Sequence, residues 1–194
     1  MKKIAITGSL GTGKSTILKI LQNLGFSTFS CDEVVKNLYK NPDIQKKIIE
    51  IFGKEILSID GKLNKRKILE KILENNKLKE KLESLFHPLV KEKLLEFIRE
   101  RKEEKIIFAE VPLLFEAGWE DLFDEIWVIT CSLLTQKERI LRKGLEEKLG
   151  EKLLKLQLSL KEKEKKAHKI IFSEKSFEDL EKEIKEMLKE YLRD

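Results

Sequence analysis

The 194-residue chain is 41% hydrophobic and 39% charged with a net charge of +5, a balance that supports one packed domain with a small inserted subdomain and excludes wholesale disorder. Forty basic residues are interspersed with 35 acidic ones, so the mild excess reads as a mixed solvated surface that suits anionic small substrates, not as a nucleic-acid-binding face. The N-terminal apolar run is too short for a signal peptide and no run reaches membrane-spanning length, so a soluble, cytoplasmic protein with no membrane partner is expected.

Lys3–Thr7 reads as a short buried strand, and the glycine-rich stretch "GSLGTGKS", Gly8 to Ser15, follows it. A helix is expected from Lys14 to Leu24, with Gly25 as its stop. Phe26–Ser30 reads as a second strand, with Asp32 just past its end. Strand, loop, helix and strand within about thirty residues make a βαβ unit and hence a parallel sheet. Residues 33–104 lack convincing strands. They read as a helical insertion broken at Asn41-Pro42, Phe52-Gly53 and Asp60-Gly61, and Pro88 predicts that a new helix starts at His87-Pro88. "KIIFAEV" (105–111), "EIWVIT" (125–130) and "HKIIF" (168–172) are further strand candidates. Leu134–Arg142 and Glu146–Lys166 read as charged helices, and Phe177–Leu192 as a terminal amphipathic one. Cys31 and Cys131 have no metal-ligand spacing and read as buried thiols. The Lys/Glu bias resembles that of proteins from hot environments.

The stretch Gly8-x-x-x-x-Gly13-Lys14-Ser15 between a strand and a helix is the pattern of a phosphate-binding loop. Its backbone N–H groups and the helix N-terminus favour phosphate oxygens. Gly8, Ser9, Leu10, Gly11, Thr12, Gly13, Lys14, Ser15 and Thr16 are therefore candidate ATP-binding residues, with Lys14 on the β- and γ-phosphates and Ser15 on Mg²⁺. Asp32 is either a helix cap or a group that takes a proton or helps place the metal through water; position alone leaves both open. Glu110 at the end of "IIFAE" is either a surface glutamate or a contact to the metal's water shell. Arg139 and Arg142, three residues apart, would share a helix face and could neutralise phosphate charge; ordinary ion pairing is the alternative. His87 alone carries little information.

Beyond these motifs the chain resembles the dephospho-CoA kinase family over nearly its whole length. The resemblance rests on "TGSLGTGKST", "FSCDEV", "FGKEILSIDGKLNKRKI", "ESLFHPLV", "EVPLLFEAG", "TQKERILRK" and the segment from Gln157 to Ile171. It implies an α/β, three-layer phosphate-loop NTPase fold with a five-stranded parallel sheet. The core would comprise 1–32, 105–132 and 167–194, the helical CoA-binding domain 33–104, and the lid 133–166. It implies transfer of the ATP γ-phosphoryl to the ribose 3′-hydroxyl of dephospho-CoA, with Mg²⁺, by a monomer. Asp32, Lys14, Arg139 and Arg142 would be catalytic. Asp32, His87, Pro112, Leu113, Leu114 and Glu116 would bind the acceptor. The chain departs from the family pattern at Ser30, where an aspartate is usual, at Glu110, at His168 and Ser173, and at Lys163, which replaces an arginine. Another small-molecule kinase is the first rival, disfavoured by "HPLV" and "VPLLFE". A nucleotide-dependent switch is the second, disfavoured by the lack of an Asn-Lys-x-Asp element.

Overall fold

The computed structural model describes residues 1–192; Arg193 and Asp194, which close the expected core segment 167–194, lie outside the described residues. In chain order the elements are β1 (Lys2–Thr7), α1 (Lys14–Asn23), β2 (Ser27–Ser30), α2 (Cys31–Leu38), α3 (Pro42–Phe52), α4 (Lys65–Glu74), α5 (Asn76–Glu100), β3 (Ile106–Glu110), β4 (Glu125–Thr130), α6 (Leu133–Arg142), α7 (Glu147–Lys155), α8 (Leu160–Lys165), β5 (Lys169–Phe172) and α9 (Phe177–Leu192). They form two compact units: residues 1–31 with the chain from Phe97 onward, and Asp32–Glu96.

In the first unit the five strands make one parallel sheet in the order β2-β3-β1-β4-β5. Parallel strands covered on both faces need continuous apolar runs. Accordingly β3 is buried at every position and β4 from Ile126 onward. At the edge, β5 buries only Ile171. The apolar stripes of α1 (Ile17, Ile20, Leu21) and α9 (Leu180, Ile184, Leu188) close over Ile4, Ile6, Phe108, Trp127 and Ile129. Each such aliphatic side chain contributes about 1.5–3 kcal/mol on burial. The central strand of this sheet is β1, so the segment leaving its carboxyl end emerges where parallel sheets bind ligands.

In the second unit, Ile44, Ile48, Phe52, Ile56, Ile68, Leu82 and Phe86 form a separate core. Asn41 caps α3 by accepting from the Asp43 and Ile44 amides, with Pro42 in the first turn, and Asn64 caps α4 likewise.

Two helical expectations are corrected. No helix starts at His87-Pro88: α5 runs unbroken from Asn76 to Glu100 with Pro88 inside it. The buried residues Leu82, Phe86, Val90 and Leu94 recur every four residues along one side. Pro88 and Ser84 are exposed, so the carbonyl that loses its partner to proline faces water and the apolar stripe sustains the helix. The charged stretch 146–166 is two helices, not one. α7 stops at Lys155, and Ser159 starts α8 by forming a capping box with Glu162.

Candidate active site

The segment between β1 and α1 is shaped by glycines where other residues would not fit. Gly8 has φ 146°, and a Cβ there would lie 2.4 Å from the Ile129 carbonyl oxygen. Gly13 has φ 96° and a Cβ there would lie 3.0 Å from Ser173. Lys14 is buried, and its Nζ donates to the Ser9 carbonyl at 2.9 Å, so the ammonium is held inside the loop. Thr12 ties the same carbonyl through its hydroxyl at 2.9 Å. Gly13 caps α1 without a side-chain hydrogen bond, and the first turn carries no acidic residue. The helix therefore presents its N-terminal partial charge to an incoming anion. Ser15 is exposed at this end.

Residues distant in sequence hold this loop from behind. Gln136 Nε2 donates to the Leu10 carbonyl at 2.7 Å. Arg139 donates to Ser173 twice, Nη1 to Oγ and Nη2 to the carbonyl, each at 2.7 Å. Ser173 Oγ in turn donates to the Thr12 carbonyl at 2.6 Å. Arg139 thus lies against Gly13, whereas Arg142 is exposed and pairs with Glu138 at 3.7 Å. Although α6 carries both arginines, the structure gives them different partners. Gln136 was missed from sequence, and Ser173 was named there only as a departure from the family pattern. The available signals were a glutamine in a lysine- and glutamate-rich helix and a serine immediately after the last strand.

Glu110 ends β3 almost completely buried. Ser30, its register partner on β2, donates Oγ to Glu110 Oε2 at 2.8 Å. Asp32 is exposed in the first turn of α2, directly after β2 in the chain, and lies within the helix rather than at its cap. His87 sits half-buried within α5.

After β3 the chain makes a tight turn from Pro112 to Gly118, in which the Ala117 amide donates to Leu113 and the Trp119 amide to Leu114. Pro112 and Leu113 are half-buried, but Leu114 is fully buried. The Leu114 side chain is part of the protein interior. Glu116 also has protein partners. Its carboxylate lies 3.0 Å from Lys163 Nζ and accepts the Leu158 amide at 2.8 Å. Lys163 Nζ donates to the Pro112 carbonyl at 2.8 Å as well. Burial pushes the Lys163 ammonium pKa down while Glu116 pulls it back up.

Residues 2–179 match the family model described as dephospho-CoA kinase. The chain belongs to the dephospho-CoA kinase family. It is 36% identical to the Fusobacterium nucleatum dephospho-CoA kinase over 93% of this chain and 94% of that one. It is likewise 36% identical to the Rickettsia conorii dephospho-CoA kinase over 98% and 97%. The structure of a dephospho-CoA kinase from Campylobacter jejuni aligns over 98% of this chain and 97% of its own, with TM-score 0.68 and 31% identity. A shikimate kinase from Acinetobacter baumannii aligns at TM-score 0.56 and 16% identity, which shows the shared fold alone. The chain is accordingly an ATP-dependent kinase with a phosphate-loop core.

Set against the dephospho-CoA kinase pattern, the departures acquire local reasons. Ser30 and Glu110 touch one another. A carboxylate at position 30 would set two negative groups side by side, whereas the serine hydroxyl donates to the longer glutamate. Ser173 takes its place as the bridge from Arg139 to the loop. His168 donates its amide to the Ile126 carbonyl at 2.8 Å and accepts the Ile126 amide on Nδ1 at 3.1 Å, so its ring extends the β4–β5 ladder. Among the described residues no group of three or more His, Cys, Asp or Glu side chains could hold a resident metal ion. Ser15, exposed at the start of α1, carries a hydroxyl of the kind that can ligate a Mg²⁺ ion.

Proposed function

We infer that the protein transfers the γ-phosphoryl of ATP to the ribose 3′-hydroxyl of dephospho-CoA, giving coenzyme A. The observation that carries the donor half is the buried Lys14 held on the Ser9 carbonyl in a loop shaped by Gly8 and Gly13. The acceptor half rests on family membership. The loop amides from Gly8 to Thr16 bind the phosphates, and Lys14 places a cation on the β- and γ-oxygens. Mg²⁺ bound with ATP, on Ser15 and through water on Asp32 and Glu110, would neutralise charge on the same oxygens. Asp32, exposed and directly after β2, accepts the proton of the attacking hydroxyl. Residues 33–104, with His87, hold the CoA moiety, and Pro112 and Leu113 line the acceptor side.

Residues 133–166 act as a lid whose closure excludes water. Arg142, exposed at the end of α6, neutralises the transferring phosphoryl. Arg139 joins it only by exchanging Ser173 for a substrate oxygen. Because the transition state is loose, positioning and charge outweigh base strength. No helix among the described residues is long and apolar enough to cross a membrane. A cytoplasmic monomer acting on small anionic substrates without nucleic-acid partners is part of the same proposal, in keeping with the interspersed basic and acidic residues. An ADP-release assay with Mg·ATP across dephospho-CoA, nucleoside monophosphates and shikimate tests the reading. A response to dephospho-CoA above all others is expected, and none to dephospho-CoA would overturn it.

A further inference from the structure

Lys163 has 0% side-chain exposure although it carries a cation. Burial of an ammonium is costly unless it is both paired and hydrogen-bonded. Both requirements are met from one turn: the Glu116 carboxylate at 3.0 Å and the Pro112 carbonyl at 2.8 Å. Glu116 also holds the Leu158 amide at 2.8 Å, in the connection between α7 and α8. The turn is bound in its own right to the central strand: the Val111 amide just before it donates to the Ile6 carbonyl at 2.9 Å, and the Thr7 hydroxyl donates to the Pro112 carbonyl at 3.4 Å. From α8, Glu164 accepts the Thr130 hydroxyl at the end of β4 at 2.6 Å. Two charged side chains therefore join three pieces of chain: the turn after β3, the α7–α8 connection and α8 itself.

We propose that Lys163 and Glu116 are positioning residues that fasten the 112–116 turn to the root of the 133–166 segment, so that acceptor placement and exclusion of water are set together. This rests on the reading of those two segments as acceptor side and lid. The Glu116 carboxylate then acts on Lys163 and Leu158, not on substrate. Without the pair, the acceptor hydroxyl is poorly placed and water competes as nucleophile. Water attack on the γ-phosphorus would release ADP, inorganic phosphate and a proton without forming CoA.

The test measures ADP and CoA separately for wild type, Lys163→Met, Lys163→Arg and Glu116→Gln. Wild type should give one CoA per ADP. In Lys163→Met the KM for dephospho-CoA should rise about tenfold or more, the KM for ATP should stay within about twofold, and ADP should exceed CoA. Lys163→Arg, which keeps the charge, should restore most of the coupling. Glu116→Gln keeps an oxygen for Leu158 and should move in the same direction as Lys163→Met, which keeps the test open if that variant does not fold. A folded Lys163→Met or Glu116→Gln protein with wild-type KM values and one CoA per ADP would overturn the proposal. So would an equal rise in both KM values, which signals general loosening. A wild-type protein inactive on dephospho-CoA would remove the functional reading and this inference with it; an active wild type beside equally coupled variants would remove the inference alone.

Discussion

The phosphate loop and the helical unit Asp32–Glu96 obtain their shapes from opposite ranges of the chain. The carbonyls of Leu10 and Thr12 are held by Gln136 and Ser173, which lie 126 and 161 residues away along the chain. In the helical unit the comparable bonds are local: Asn41, Asn64 and Asn75 each accept from amides two and three residues ahead. The loop can adopt its geometry only once the sheet and α6 are in place. The helices of the second unit can start from their own caps, and their stability depends on one modest apolar cluster. A region held at long range should answer substitution with loss of nucleotide affinity. One held locally should answer with lost stability and leave nucleotide affinity unchanged.

The largest effect that would sharpen this contrast is expected from Lys14→Ala. Turnover should fall by about 10³-fold or more, with the circular dichroism spectrum unchanged, because the cation acts on the reacting phosphates. Next comes Asp32→Asn, which keeps a first-turn side chain of the same shape. It should lower turnover by about 10²- to 10⁴-fold with little change in either KM, and near-normal turnover in the folded variant would remove the base assignment. Ser173→Ala should cost about 1–3 kcal/mol in chemical denaturation, because it strips Arg139 and the Thr12 carbonyl of a shared buried partner. It should also raise the KM for ATP. Asn41→Ala should be mildest, about 1 kcal/mol with the KM for ATP unchanged. If Asn41→Ala disturbed ATP binding as much as Ser173→Ala, the contrast between the regions would fail.

Most of the sheet and the loop were legible because their signals are local: continuous apolar runs for the strands, glycine and lysine spacing for the loop. The breaks at Asn41-Pro42 and Phe52-Gly53 were legible for the same reason. Pro88 misled because proline reports a lost hydrogen bond but not whether the affected carbonyl faces water. The break at Ser159 falls in the uncharged run Leu156–Leu160 of a Lys/Glu-rich stretch, where the Ser-x-x-Glu spacing marks the new helix start. The partners of Glu116 and Arg139 were out of reach, since they pair residues from separate elements, Lys163 and Ser173. Such pairings follow from the three-dimensional arrangement and leave no mark on either segment alone.

The ring of His168 offers a spectroscopic handle. Since Nδ1 accepts the Ile126 amide, the neutral ring must carry its proton on Nε2. Nitrogen chemical shifts distinguish that tautomer from the alternative. The chain holds only one other histidine, His87, so the His168 resonance can be assigned by a single substitution. Because β5 leads straight into Ser173, that one signal would report in solution whether the strand behind the loop is docked as nucleotide arrives and leaves.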